Sequence, residues 1–378
     1  MFTRLSTTHR VARGGRPVVP VIVVLLATLA LLSAGCASPG SPTQIPTASP
    51  GASAPASDPA SAPPASAPPA SEPSPSDPPA ASGTITLYST VTQATVEAIV
   101  AGYQAANPGV VIDVFRAPTG EVSARIAAEQ RDGGVKADLF WLTDPLSMQQ
   151  YDTDKLLAAY VPPDAAALDP ADQTATYWGT RLLNMVIVTG TDVDPAPTDW
   201  NDLLNPAYKD AVALSDPGFA GSAFGLLGYF ANDPAYGLGF YQALKDNGAV
   251  IVKSPDEVTT GVAEGRFKAG ITLDFSARTA AAKGSPVRLV WPTSGAVTLY
   301  SPIALVQTSD NVPTAQSFID FVLSTEGQSI VAESGWQPAR ADVPGGPPVE
   351  GKQIRPDWAT LFGGQADLLA GYRAIFGE

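Results

Sequence analysis

The feature that most constrains this fold is a break in composition near residue 83. From residue 37 to 83 the chain is Pro, Ala, Ser and little else. Such a stretch has too little apolar bulk to offset the entropy of ordering it, and its prolines hold it extended. It reads as a disordered spacer, so any packed core must come from residues 84–378. Those 295 residues can bury a large core, and their length favours two lobes over one. They carry 18 Lys and Arg against 33 Asp and Glu, a net charge of −15. Nucleic-acid binding needs a basic face, and this composition supplies none.

Two absences narrow the chemistry further. The only histidine is His9 and the only cysteine is Cys36, both upstream of the folding segment. Residues 84–378 therefore lack imidazole and thiol, which removes Ser-His-Asp, Cys-His and His-ligated zinc chemistry together. No catalytic residue, no metal centre and no cofactor is expected.

The N-terminal segment has its own logic. Arg4, Arg10, Arg13 and Arg16 form a basic region, followed by an almost unbroken apolar run over 18–32. That run is short of the ~20 residues a comfortable membrane span needs, so it reads as a cleaved signal. Leu32-Ser33-Ala34-Gly35-Cys36 resembles a bacterial lipobox, with Ser33 where Leu is preferred. The resemblance implies a signal peptide over 1–35, an acylated Cys36 and a tether to residue 83. The expected location is extracytoplasmic, with the lipid bilayer as a partner through Cys36. An ordinary secretory signal with a chance cysteine is the alternative.

Along the folding segment, 84–88 alternates like a strand and 96–103 carries Val96, Ile99, Val100 and Tyr103 at helical spacing. Strands are expected at 110–115 and 137–142, with a helix opened by Thr119-Gly120-Glu121 between them. Strand, helix, strand, helix, strand signals a parallel sheet covered by helices. The pattern restarts with strands at 183–188, 211–214, 249–252, 269–273 and 287–291, and helices beginning at 200 and 223. A last strand covers 300–306, and amphipathic helices at 313–323 and 358–376 finish the chain.

Leu87-Tyr88-Ser89-Thr90, Ala137-Asp138-Leu139-Phe140-Trp141, residues 197–204 and residues 318–328 resemble the extracellular solute-binding proteins of ABC importers. The ferric-iron, phosphonate and sugar-phosphate branch is the most similar. The resemblance implies an α/β, two-lobed periplasmic-binding-protein-like (type II) fold, with hinge crossings near 183–188 and 299–305. Residues 84–186 with 302–378 would form lobe 1, and 187–301 lobe 2. It also implies a monomer that closes on a small solute and docks on ABC permease subunits. In iron-binding relatives a Tyr-Tyr pair grips the ion; the matching positions here are Asp274 and Phe275, and no His stands near Thr92.

Ligands of open α/β sheets sit beyond the carboxyl ends of strands, where helix N-termini offer unpaired N–H groups. Ser89-Thr90, Thr119-Gly120, Thr143-Asp144 and Gly221-Ser222 stand at such junctions, although Ser, Thr and Asp are also ordinary helix caps. Asp274, Phe275 and Arg278 follow a second-lobe strand. Arg278 is a candidate bidentate anion contact or a solvated surface residue, and Phe275 a pocket wall or core residue. Trp178, Arg181 and Tyr300 lie at the crossings, as hinge packing or ligand contacts. The reading is a receptor for a small, anionic solute such as an organophosphate, phosphonate or carboxylate. A ferric-iron receptor, a surface hydrolase using Asp144 and Asp274, and a sensory or adhesion lipoprotein are the alternatives.

Overall fold

The computed structural model describes residues 81–361 and 364–377. The signal, Cys36 and nearly all of the tether lie outside the described residues. The first segment runs β1 (Gly83–Ser89), α1 (Gln93–Ala106), β2 (Val110–Arg116), α2 (Thr119–Arg131), β3 (Leu139–Trp141) and α3 (Pro145–Thr153). Then β4 (Tyr177–Gly190) leads to β5 (Val212–Ser215), α4 (Gly221–Asn232), α5 (Gly237–Asp246), β6 (Val250–Val252), α6 (Pro255–Ala263), β7 (Ala269–Leu273), α7 (Asp274–Ala282) and β8 (Val287–Val290). The return strand β9 (Ala296–Leu305) precedes α8 (Val312–Leu323), α9 (Thr325–Glu333), the short β10 (Gln337–Pro338) and β11 (Gln353–Ile354), and α10 (Gln365–Phe376).

The main hydrogen-bonded path is β2-β1-β3-β9-β4-β7-β5-β6. Each end is a parallel triplet with the same internal order, second-first-third: β2-β1-β3 and β6-β5-β7. Between them β9 pairs antiparallel with β3 and β4, and β4 antiparallel with β7. The expected parallel sheet is thus a mixed one. Two long strands passing in opposite senses connect the triplets, and each triplet is the core of one lobe.

Local chemistry explains where other expectations shift. Residue 200 opens a 3-10 helix (Trp200–Leu204) rather than an α-helix: the Asp199/Asp202 capping box starts it, and Pro206 prevents its extension. Asp144 followed by Pro145 starts α3 as N-cap and first helical residue. Ser324 both ends α8 and caps α9, splitting off a helix the periodicity did not reveal. The last helix begins at Gln365, not 358, and packs on α5 and α4. The main core spans both triplets and includes the fully buried Trp141, Trp178, Trp200 and Trp336, and a second, smaller core around Val188, Ala213, Val258 and Ala277 lies beside the second triplet.

Candidate functional site

A cavity of about 290 Å³ lies where the carboxyl ends of both triplets face each other. The first lobe contributes Thr90 after β1, Thr119 at the start of α2 and Thr143 after β3. The second lobe contributes Gly221 and Ser222 at the start of α4, Ser254 to Asp256 at α6, and Phe275 and Ser276 at α7. Arg181 and Leu183 of β4 and Trp336 before β10 line it as well. A volume near 300 Å³ sits at the small end of ligand pockets.

The helix starts divide into two kinds. Asp144 accepts the Ser147 N–H at 2.7 Å and Ser254 accepts the Glu257 N–H at 3.3 Å, so α3 and α6 are capped by side chains. Helices α1, α2, α4 and α7 begin with no side-chain cap. The starts of α2, α4 and α7 line the cavity, presenting N–H groups and the positive ends of three dipoles. The lobes also touch here: the Gly221 N–H donates to Thr119 Oγ1 at 3.0 Å.

Arg181 dominates the electrostatics. Its side chain is fully buried, and Nε, Nη1 and Nη2 have no hydrogen-bond partner among the described residues. Burial, with a smaller push from the Arg116 cation, lowers its pKa to about 9. A buried guanidinium without a counter-charge is costly, and an acceptor entering the cavity would offset that cost. Two features aim it. The β4–β9 register shifts between Gly179 and Leu182, a bulge that redirects the side chains within it. The Arg181 guanidinium then lies 3.9 Å from the Trp336 ring centroid. Trp336 is fixed in turn by its Nε1–H donated to Thr95 Oγ1 at 3.0 Å and by stacking on Phe275, with centroids 4.0 Å apart.

The residues singled out from the sequence separate into two groups. Thr90, Thr119, Thr143, Gly221, Ser222 and Phe275 line the cavity, and Thr90 and Thr143 share a hydroxyl hydrogen bond of 3.1 Å. Arg181, weighed from the sequence as hinge packing or a ligand contact, lines the cavity too, and the rest are occupied elsewhere. Ser89 donates to the Trp141 carbonyl and accepts the Val91 N–H, fixing its own turn. Gly120 packs against the Gly218 carbonyl, where a Cβ would approach to 2.5 Å. Asp144 caps α3. Asp274 is buried beneath Arg278, which spends Nη2 on its carboxylate (3.1 Å) and on the Gly335 carbonyl (3.0 Å). Asp144 and Asp274 are both absent from the cavity lining, so they do not form a facing acid/base pair there. Tyr300 is buried in β9 beside Tyr177, its phenol pKa raised by burial, and Trp178 packs edge-on against Tyr160.

Sequence reasoning passed over Arg116, Ser254, Asp256, Ser276 and Trp336, all in the lining. Ser254-Pro255-Asp256-Glu257 carries the signal of a helix start and could have been found that way. Asp256, at the rim, accepts the Ser276 hydroxyl at 2.5 Å. Among the described residues no group of three or more carboxylates is placed to hold a metal ion.

Residues 85–337 match the family model of bacterial extracellular solute-binding proteins. A Salmonella typhimurium protein (strain LT2) named for 2-aminoethylphosphonate binding in the periplasm is 27% identical over 246 residues, 62% of this chain and 71% of that protein. The spermidine/putrescine-binding periplasmic protein of Escherichia coli (strain K12) is 30% identical over 163 residues, 42% of this chain and 46% of that one. Among solved structures, the periplasmic binding protein AfuA of Actinobacillus pleuropneumoniae, with fructose-6-phosphate bound, superposes with a TM-score of 0.71 at 19% identity, covering 78% of this chain and 98% of that one. Iron-bound HitA of Pseudomonas aeruginosa superposes with a TM-score of 0.68 at 21% identity, covering 77% and 99%. The two structures share the fold, in which two lobes flank a cleft. The sequence match across both lobes and the cavity between them make this chain a member of the bacterial extracellular solute-binding proteins.

Proposed function

We propose that the protein captures a small solute bearing a phosphate, phosphonate or carboxylate group, and delivers it to the permease of an ABC importer. The observation that carries this reading is Arg181, a buried cation with three unpartnered nitrogens lining the interlobe cavity. An oxyanion there would gain charge-assisted hydrogen bonds from the guanidinium and further donors from the starts of α2, α4 and α7, the Gly221 N–H of α4 being already given to Thr119. A ferric ion or a polyamine would instead meet an unpaired positive charge, which weighs against both. The net −15 of residues 84–378 opposes an anion only at long range, and salt screens charges beyond about 8–10 Å. The lobes divide at β4 and β9, 84–186 with 302–338 against 187–301, and α10 docks on the second.

Binding energy closes the lobes, so the mechanism is a population shift rather than a reaction. Among the described residues no helix is long and apolar enough to cross a membrane. Attachment as a lipidated monomer through Cys36, with residues 37–83 as spacer, fits this role; Cys36→Ser should release the protein from the membrane fraction into the medium. The test of ligand class is a thermal-shift and calorimetry screen with 2-aminoethylphosphonate, methylphosphonate, inorganic phosphate, fructose-6-phosphate, putrescine and ferric citrate. A binder of the folded form raises the melting temperature by mass action. Oxyanions should stabilise and putrescine should not; the reverse order would sink the anion reading.

A further inference from the structure

The seam where the lobes touch holds a second buried charge that the binding site does not use. Asp144 is fully buried, and while Oδ1 caps α3, Oδ2 has no hydrogen-bond partner among the described residues. What covers Oδ2 comes from the other lobe. A Cβ built on Gly221 would lie 2.4 Å from Oδ2, 2.7 Å from Thr143 Oγ1 and 2.8 Å from Thr119 Oγ1. The start of α4 is thus pressed into a socket made by three first-lobe residues, and only glycine fits. Separating the lobes would return Oδ2 to water.

We propose that Asp144 is a proton-dependent latch: closing the lobes over the solute buries its carboxylate, so the closed form takes up a proton that the open form does not hold. This inference rests on the reading of the protein as a two-lobed receptor that closes. Burial is the main cause of a pKa raised from 3.8 to about 6 with the lobes in contact as here, opposed by hydrogen bonds from the Ser147 N–H and side chain and from the Leu146 N–H. The titratable groups facing it are Tyr151 of α3, with its phenol pushed up to about 12, and Tyr300 of β9, its phenol raised well above the usual range by burial; both stay neutral. No charged side chain contributes to the Asp144 shift.

The sign follows from linkage. Above about pH 6 the carboxylate is ionised in both forms, and closing carries the full cost of desolvating it. Between about pH 6 and 4 the closed form binds the proton first, so acid favours closing. Below about pH 4 both forms are protonated and the effect is saturated. The two-unit shift sets a ceiling of about 100-fold on the closing equilibrium, of which about tenfold appears between pH 7 and pH 5.

The test uses the full-length chain with Cys36→Ser and spin labels at Val111→Cys and Val250→Cys, exposed positions on the outermost strands β2 and β6. Interlobe distances are measured from pH 7 to pH 5, without solute and with sulfate, whose charge is constant over that range. The ratio of closed to open protein should rise about tenfold on acidification. Asp144→Asn keeps a good helix cap and mimics the fully protonated form, so at pH 7 it should be about tenfold more closed than the parent is at pH 5, with no pH response. A parent with no pH response, or an Asp144→Asn variant that responds as the parent does, overturns the latch. If sulfate fails to close the lobes at any pH while the solute-free protein still responds to acid, the anion reading fails and the latch stands.

Discussion

Two arginines near the cleft show how differently one side chain can be used. Arg278, on α7, is a quarter exposed and has given its donors to Asp274 and the Gly335 carbonyl. It locks the first turns of α7 to the turn before Trp336. Arg181, on β4, touches the neighbouring Trp336 but is wholly buried and unpaired. One arginine is complete within the fold; the other is completed only by something that enters it. A structural cation stabilises the empty protein, whereas a receptor cation destabilises it and recovers the cost on binding.

That contrast can be broken by substitution. The largest effect should come from Arg181→Met: loss of two charge-assisted hydrogen bonds at ~1.5 kcal/mol each weakens methylphosphonate or phosphate binding by about 100-fold or more. The same change should raise the melting temperature by a few degrees, because a buried unpaired cation is replaced by a side chain of similar reach. Calorimetry and a melting curve check both; weaker binding with a lower melting temperature would place Arg181 among ordinary core residues. Next, Gly221→Ala drives a methyl group into Asp144 and Thr143, so it should cost about tenfold or more in affinity by holding the lobes apart, with stability little changed.

Arg278→Ala should do the opposite. It strands the Asp274 carboxylate, 4% exposed, and a carbonyl, for a loss of about 1–2 kcal/mol of stability once the partial exposure of Arg278 is allowed for. Affinity should change by less than about threefold; a tenfold loss would erase the distinction between the two arginines. The smallest effect is expected from Thr90→Val, which removes one hydroxyl from the cavity and its bond to Thr143, about 1 kcal/mol or fivefold in affinity.

Much of the architecture was legible because short parallel triplets leave a strong periodic mark. The strands and helices over 83–131 follow the apolar spacing, and the hydroxyl-bearing turns at Thr90, Thr119, Thr143, Gly221 and Ser222 fall where strand ends meet helix starts. What sequence could not give was which polar groups were already spent. Ser89, Asp144 and Arg278 are the right residue types in the right places, yet each is consumed by a local or tertiary partner. Arg181 was the harder case. It is the only charged residue in the 14 residues of β4, where every position is buried. A single charge inside so apolar a strand is a signal, but its direction depends on a bulge set by pairing with β9, more than 100 residues away. Trp336 entered the lining for a similar reason: β10 places it beside β4 by two residues of pairing only.

In the proposed division of the lobes the chain crosses between them along β4 and along β9. β4 and β9 run side by side and bonded edge to edge, as a strip of webbing does rather than a cord. The two crossings are therefore joined along their length, and a bend in one is shared by the other whenever the lobes move.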